Sequence, residues 1–199
     1  MNPVNITKET KLYGFVGENV THSEFLAVVN RYFDSNNIDA FCSVFNIRFD
    51  DLAFFLHNIK TRSIEGIFIE QTYAKAIFSM LDEVLGENFG IVDTVFIREK
   101  RLIGTLARPA ALAKMLNEKS MAKDKKIYIY KINEWAKAFI FELMKFQPAK
   151  IIPIDSISKD EILDSLVVNF SREERLEVNN KIDFFDDEWL SNFYLSVVF

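Results

Sequence analysis

Between Lys125 and Asp155 the chain spells a strand, a helix and a second strand, and the turn joining the first two contains no glycine. Lys126-Ile127-Tyr128-Ile129-Tyr130 is rich in β-branched and aromatic residues, which predicts a strand. Ala136, Phe139, Ile140, Leu143 and Met144 recur at helical spacing behind Asn133, a natural N-cap, and Pro148 closes the run. Lys150 to Asp155 then reads as a short second strand ending in a carboxylate. A strand, turn and helix that hold a dinucleotide need glycines in the turn, so that the backbone can approach a pyrophosphate seated on the helix amides. Here those places carry Lys131, Ile132, Asn133 and Glu134. Glu134 suits the positive end of the helix dipole, yet it stands where an anionic ligand would sit. The unit predicts an α/β fold while arguing against that fold's usual nucleotide chemistry, and no cofactor is expected from it.

A chain of 199 residues, 49% of them apolar, is long enough to bury a substantial core as one domain or two small ones. A formal charge of −5 leaves no basic footprint for nucleic acid or an anionic membrane. The single Cys42 excludes an internal disulfide and a multi-cysteine metal site, and His22 and His57 lie far apart, so no metal is expected. Met1-Asn2-Pro3-Val4-Asn5 lacks the regions of a signal peptide, and no apolar run reaches the length of a membrane span. Soluble and cytoplasmic is the resulting expectation. The 20 phenylalanines predict a large aromatic core.

From the start, Lys11 to Gly17 reads as a strand running into a glycine turn, and Thr21-His22-Ser23 leads into a helix from Glu24 to Ser35. Ala40 to Ile47 is a second strand, Asp50 to Ile59 carries Leu52, Phe55, Leu56 and Ile59 at helical spacing, and Gly66 to Ile69 is a third strand. A helix from about Tyr73 to Leu85 precedes a strand at Ile91 to Ile97, with Arg101 to Gly104 as its hairpin partner, and Pro109 opens a helix to about Asn117. The alternation argues an α/β architecture. The charged stretch from Asn117 to Asp124 is a natural joint, giving domains at 1–120 and 121–199.

This order of landmarks resembles the shikimate dehydrogenase family, in which a substrate domain precedes a nicotinamide-nucleotide domain, over nearly the whole chain. The family's opening strand, glycine, HSxSP turn and HN-bearing helix are similar to Gly17-Glu18-Asn19-Val20-Thr21-His22-Ser23-Glu24-Phe25-Leu26 followed by Val29-Asn30. Its GxNVTxPxK segment resembles Gly66-Ile67-Phe68-Ile69-Glu70-Gln71-Thr72-Tyr73-Ala74. Its AVNT strand, glycine hairpin and NTD turn resemble Ile91-Val92-Asp93-Thr94, Leu102-Ile103-Gly104 and Thr105-Leu106-Ala107-Arg108. The glycine loop falls on Lys131 to Glu134, and a DLVVN strand on Asp164 to Asn169. The resemblance implies a shikimate-dehydrogenase-like substrate domain followed by a truncated Rossmann-like βαβ domain.

The same resemblance places two substrate-binding serines on Ser23 and Phe25, a threonine on Glu70, an asparagine on Asp93, the catalytic lysine on Ala74 and its paired aspartate on Arg108. In the family, the lysine and aspartate help a hydroxyl proton leave as hydride moves, a general acid–base role worth about 10²–10⁴-fold. Neither remains. Lys75, one residue on, is a weak catalytic candidate, because a one-residue slip turns the side chain by about 100°. Glu70 and Asp93 bring like charge to a cleft that would accept a carboxylate, with Arg108 as a counter-charge. Ser23, Phe25, Glu70, Asp93 and Arg108 are the cleft candidates, while Lys131, Asn133 and Glu134 mark the degenerate cofactor loop. Ser156 to Leu163 is short for the family's helix and strand, Asn192 to Phe199 resembles its DVVY strand, and the resemblance implies that a following segment with a substrate-holding glutamine is missing. A half-built parallel edge calls for cover, so a protein partner or self-association is expected.

Several residues keep two readings. Ser23 caps a helix or contacts a ligand; His22 is a turn residue or a base; Asp155 ends a strand or holds a ribose. Glu65, Glu70 and Asp93 are solvated carboxylates or a cation cluster, Cys42 is an inert core thiol, and Asp183 to Trp189 is a helix start or an acidic-aromatic docking patch. The expected function is that of a non-catalytic relative binding a protein or small metabolite. The rival is an NADP-dependent oxidoreductase with residual or altered activity.

Overall fold

A computed structural model describes residues 6–121, 125–156, 165–174, 176, 178, 181–185 and 194–198. It divides into two compact units, Met1–Leu106 and Ala107–Phe199.

The first unit runs β1 (Lys11–Gly17), α1 (Glu24–Ser35), β2 (Ala40–Asn46), a 3-10 turn (Phe49–Asp51), α2 (Leu52–Ile59), β3 (Gly66–Ile69), a second 3-10 turn (Gln71–Tyr73), α3 (Ala74–Phe78), β4 (Glu83–Val84), β5 (Thr94–Arg98) and β6 (Arg101–Thr105). These strands form one sheet in the order β2-β1-β3-β5-β6-β4. β1 is parallel to β2 and β3, while β5 is antiparallel to β3 and β6. Alternation along β1 assigns its two faces to different helices. Tyr13 and Phe15 meet Phe33 and Phe25 of α1 at 5.6 and 4.9 Å between ring centroids. Val16 instead joins Leu52, Leu56 and Ile59 of α2 in a core with Ile67, Ile69, Tyr73, Ile77 and Val95.

The helix expected from Tyr73 to Leu85 is confined to Ala74–Phe78. Asp82 explains the interruption: its carboxylate accepts from the Leu102 backbone at 2.7 Å and from Lys60 at 2.7 Å, drawing the chain onto β6 as β4. Those same hydrogen bonds hold the Asp82 carboxyl below its ordinary range.

The second unit holds α4 (Ala107–Glu118), β7 (Lys126–Tyr130), α5 (Glu134–Met144), β8 (Lys150–Ile154), β9 (Leu166–Asn169), β10 (Lys181–Asp183) and a single helical turn, α6 (Leu195–Val198). Its sheet is parallel throughout, in the order β10-β9-β7-β8. α4 packs against α5 and α6. Phe139, Phe170, Phe184 and Trp135 form an aromatic chain through the core, with Phe170 stacked on Phe184 at 4.6 Å. The strand expected near the end of the sequence is helical where it is described, with Val197 and Val198 N–H both donating to Tyr194 O. Asp164, Asn192 and Phe193 lie outside the described residues, as does the stretch 157–163.

Left-handed backbone is carried mostly by residues other than glycine. Among the described residues, Asn37, Glu99, Lys100, Ser120, Lys131 and Gln147 have φ between 51° and 63°, against two glycines, Gly86 and Gly90, with positive φ.

Candidate functional site

The carboxyl ends of β1 and β3 and the amino end of β5 meet at one edge of the first sheet. Ile69 N–H donates to Asp93 O at 2.8 Å, and Glu70 N–H donates to Val16 O at 2.8 Å, so this edge is tied across three strands. Gly17 makes the closure possible: a methyl on it would lie 2.5 Å from Val20 Cγ1 and 2.7 Å from Glu70 Cβ. The turn after β1 is held by Asn46, which accepts from Val20 N–H at 3.0 Å and donates to the Thr21 hydroxyl.

Four of the expected cleft residues occupy this region. Ser23 Oγ accepts from Phe25 N–H at 3.2 Å, which settles its capping role at α1. Phe25 is buried between Phe15 and Phe68, so the position aligned with a second serine is core. Glu70 accepts from the Thr72 hydroxyl. Asp93 is 3% exposed and accepts from Thr94 Oγ1 at 2.9 Å, a carboxylate held in the interior by hydrogen bonding. Ala74 is 1% exposed at the head of α3 with its carbonyl taking Val92 N–H, and Lys75 is exposed on the outer side of the same turn. Glu65 and Glu70 flank opposite ends of β3, about 16 Å apart at 3.3 Å per residue, which separates the supposed cation cluster. Among the described residues no group of three or more His, Cys, Asp or Glu could hold a metal ion. His22 is an exposed turn residue.

Tyr73 is the residue here that sequence reasoning missed. Its hydroxyl donates to Ile47 O at 2.7 Å, its ring lies 5.6 Å from that of Phe49, and burial, then Glu18 and Glu70, push its phenol above the ordinary range. Its placement behind a strand end and ahead of a short helix was the available signal.

Arg108 belongs to the second unit, buried in the first turn of α4 with its guanidinium 5.9 Å from the Phe184 ring centroid. Phe184 is itself core, with Asp183 and Phe185 half-buried beside it; residues 186–189 lie outside the described residues. Asn133 caps α5 as expected, accepting from Ala136 N–H at 3.0 Å, and its amide donates to Phe170 O at 2.9 Å. Glu134 is exposed in the first turn. Lys131 takes φ 63°, the left-handed conformation that a glycine would adopt without cost.

Sequence comparison finds a curated shikimate dehydrogenase (NADP(+)) of Clostridium botulinum, strain Loch Maree, at 31% identity over 93 residues, 46% of this chain and 36% of the enzyme. The Pyrococcus furiosus enzyme is 28% identical over 142 residues, 70% of this chain and 52% of the relative. The shikimate dehydrogenase structure of Aquifex aeolicus superposes with a TM-score of 0.68 at 20% identity, covering 92% of this chain and 76% of that one. The chain is similar to shikimate dehydrogenases in sequence and in fold. No family model matches it. It spans between about a third and a half of the two curated family enzymes. The fold is the mixed α/β architecture of those solved structures, with a Rossmann-like second unit. It is shared with a 5-ketofructose reductase of Gluconobacter at 16% identity and a TM-score of 0.66, so the scaffold hosts more than one substrate. No described helix is long and apolar enough to cross a membrane.

Proposed function

We propose that this chain acts by binding, as a non-catalytic protein that holds a small metabolite or a protein segment at the first unit's sheet edge. The observation that carries the reading is Ala74, buried where the family resemblance puts the proton-handling lysine, with Lys75 turned outward. Removing an acid–base group typically costs about 10²–10⁴ in rate. Phe25 is core at a serine position, and Glu70, a half-buried carboxylate at a neutral position, changes what this end of the sheet would recognise. A protein contact through the second unit fits the same reading, since Phe141 and Met144 stand exposed on α5.

The second reading, an NADP-dependent oxidoreductase of altered chemistry, draws on the retained strand-helix-strand unit and on the likeness to a shikimate dehydrogenase solved with NADP+, with a TM-score of 0.67 at 22% identity. One assay separates the two. Purified protein is mixed with NADP+ and shikimate while nicotinamide absorbance is followed. No turnover is expected; shikimate-dependent reduction that Lys75→Ala abolishes would establish the enzyme and end the binding reading.

A further inference from the structure

The second sheet reverses direction of growth at β7, with β8 on one side and β9 and β10 on the other. Open α/β sheets take ligands outside the strand carboxyl ends at such a reversal. Tyr130 ends β7 there, Lys131 follows it, and Asn169 ends β9. The chain's own turn at 171–174 is anchored over these ends. Asn169 accepts from Ser171 N–H at 2.8 Å and donates to Glu174 O at 2.8 Å and Asp183 Oδ1 at 2.7 Å. Ser171 Oγ accepts from the Glu173 and Glu174 amides at 3.3 and 3.0 Å.

The turn so fixed delivers one carboxylate to two donors. The Tyr130 hydroxyl donates to Glu174 Oε2, and Lys131 Nζ lies 3.7 Å from Oε1. A phenol and an ammonium on consecutive residues, converging on one anion, are donors that a phosphate or carboxylate ligand would use. We propose that Tyr130 and Lys131 form an anion site at the sheet reversal and that Glu174 occupies it in cis, excluding phosphate-bearing ligands. The inference goes beyond the binding role of the first unit and does not depend on it.

Glu174 has a tethering advantage, because an intramolecular group acts at an effective concentration of about millimolar or more. The surroundings add to the exclusion. Asp155 acts electrostatically on Lys131, Glu134 follows on α5, and Asp183 is held by Asn169 and by Lys181 at 3.2 Å. A ligand must displace the Glu174 carboxylate and face Asp155.

The full chain is titrated calorimetrically with inorganic pyrophosphate and, separately, with ADP. The native protein is expected to give no binding, whereas Glu174→Ala and Glu174→Gln each gain affinity for pyrophosphate by about tenfold or more. Adding Lys131→Ala to Glu174→Ala should remove the gain. ADP matching pyrophosphate identifies a site for the anion alone, and tighter ADP identifies a nucleotide site; both support the proposal. Native protein that binds as tightly as Glu174→Ala overturns it, as does the absence of gain in whichever variant melts cooperatively. Either failure leaves the non-catalytic reading standing, since that rests on Ala74 and is tested by the absence of hydride transfer.

Discussion

Cys42 is fully buried on β2, its backbone bracketed by the Asn30 amide, which donates to Cys42 O at 2.9 Å and accepts from its N–H at 2.8 Å. Burial pushes the thiol up to about 12 from 9.0. The unfolded chain therefore loses this proton first, and stability should fall by about 1.4 kcal/mol per pH unit from pH 9 until the folded thiol ionises near 12. Denaturant melts across that window should show the slope, and Cys42→Ala should make it shallower by the thiol's share. A maleimide should label native protein only as fast as it unfolds. Tyr73 makes a second test: Tyr73→Phe removes the donor to Ile47 O and should cost about 1–2 kcal/mol in a urea melt. Ser23 and Phe25 show where residue-level reading reached its limit. Adjacency to Glu24 made the cap legible, but only the packing of α1 on Phe15 and Phe68 reveals that Phe25 is core rather than cleft.

Turns and caps decide the elements. Arg98 pairs with Arg101, leaving Glu99 and Lys100 as a two-residue hairpin loop with φ 51° and 62°, the signature of a type I′ turn. Neither residue favours that conformation, so replacing the pair with Asn-Gly should raise stability by about 1–2 kcal/mol, measurable as a shift in denaturant midpoint at constant slope. Asn133→Ala removes the α5 cap and the bond to Phe170 O, and should cost about 1–2 kcal/mol. α1 and α5 were legible because cap and apolar spacing agree within one segment. α3 was overextended because Ile77, Met80, Leu81 and Val84 keep helical spacing while the decisive bond, Asp82 to Leu102, spans 20 residues. The last element was expected as a strand from its likeness to the family's DVVY segment, whereas α4 packing and the Lys114 to Ser196 contact at 3.3 Å accompany a helical turn.

For the whole molecule, the α/β alternation was readable because β1 and β3 distribute alternate residues to two helix-covered faces, a pattern intrinsic to the chain. The bridge over the second sheet was not, since Glu174 is separated from Tyr130 by 44 positions and belongs to no motif. A ligand at 100 times its dissociation constant adds about 2.7 kcal/mol, which for a chain of this size moves the melting temperature by about 5–10 °C. Shikimate and NADP+ together are expected to leave it unmoved in a scanning fluorimetry run; a shift of that size would count for the enzyme. The division at Leu106 also has a consequence in time. Synthesis at about 5–20 residues per second separates completion of the first unit from addition of Phe199 by roughly 5–20 s. Glu70 and Asp93 can thus reach their final positions on a sheet closed within its own 106 residues while the strands that Glu174 will bridge are still being made.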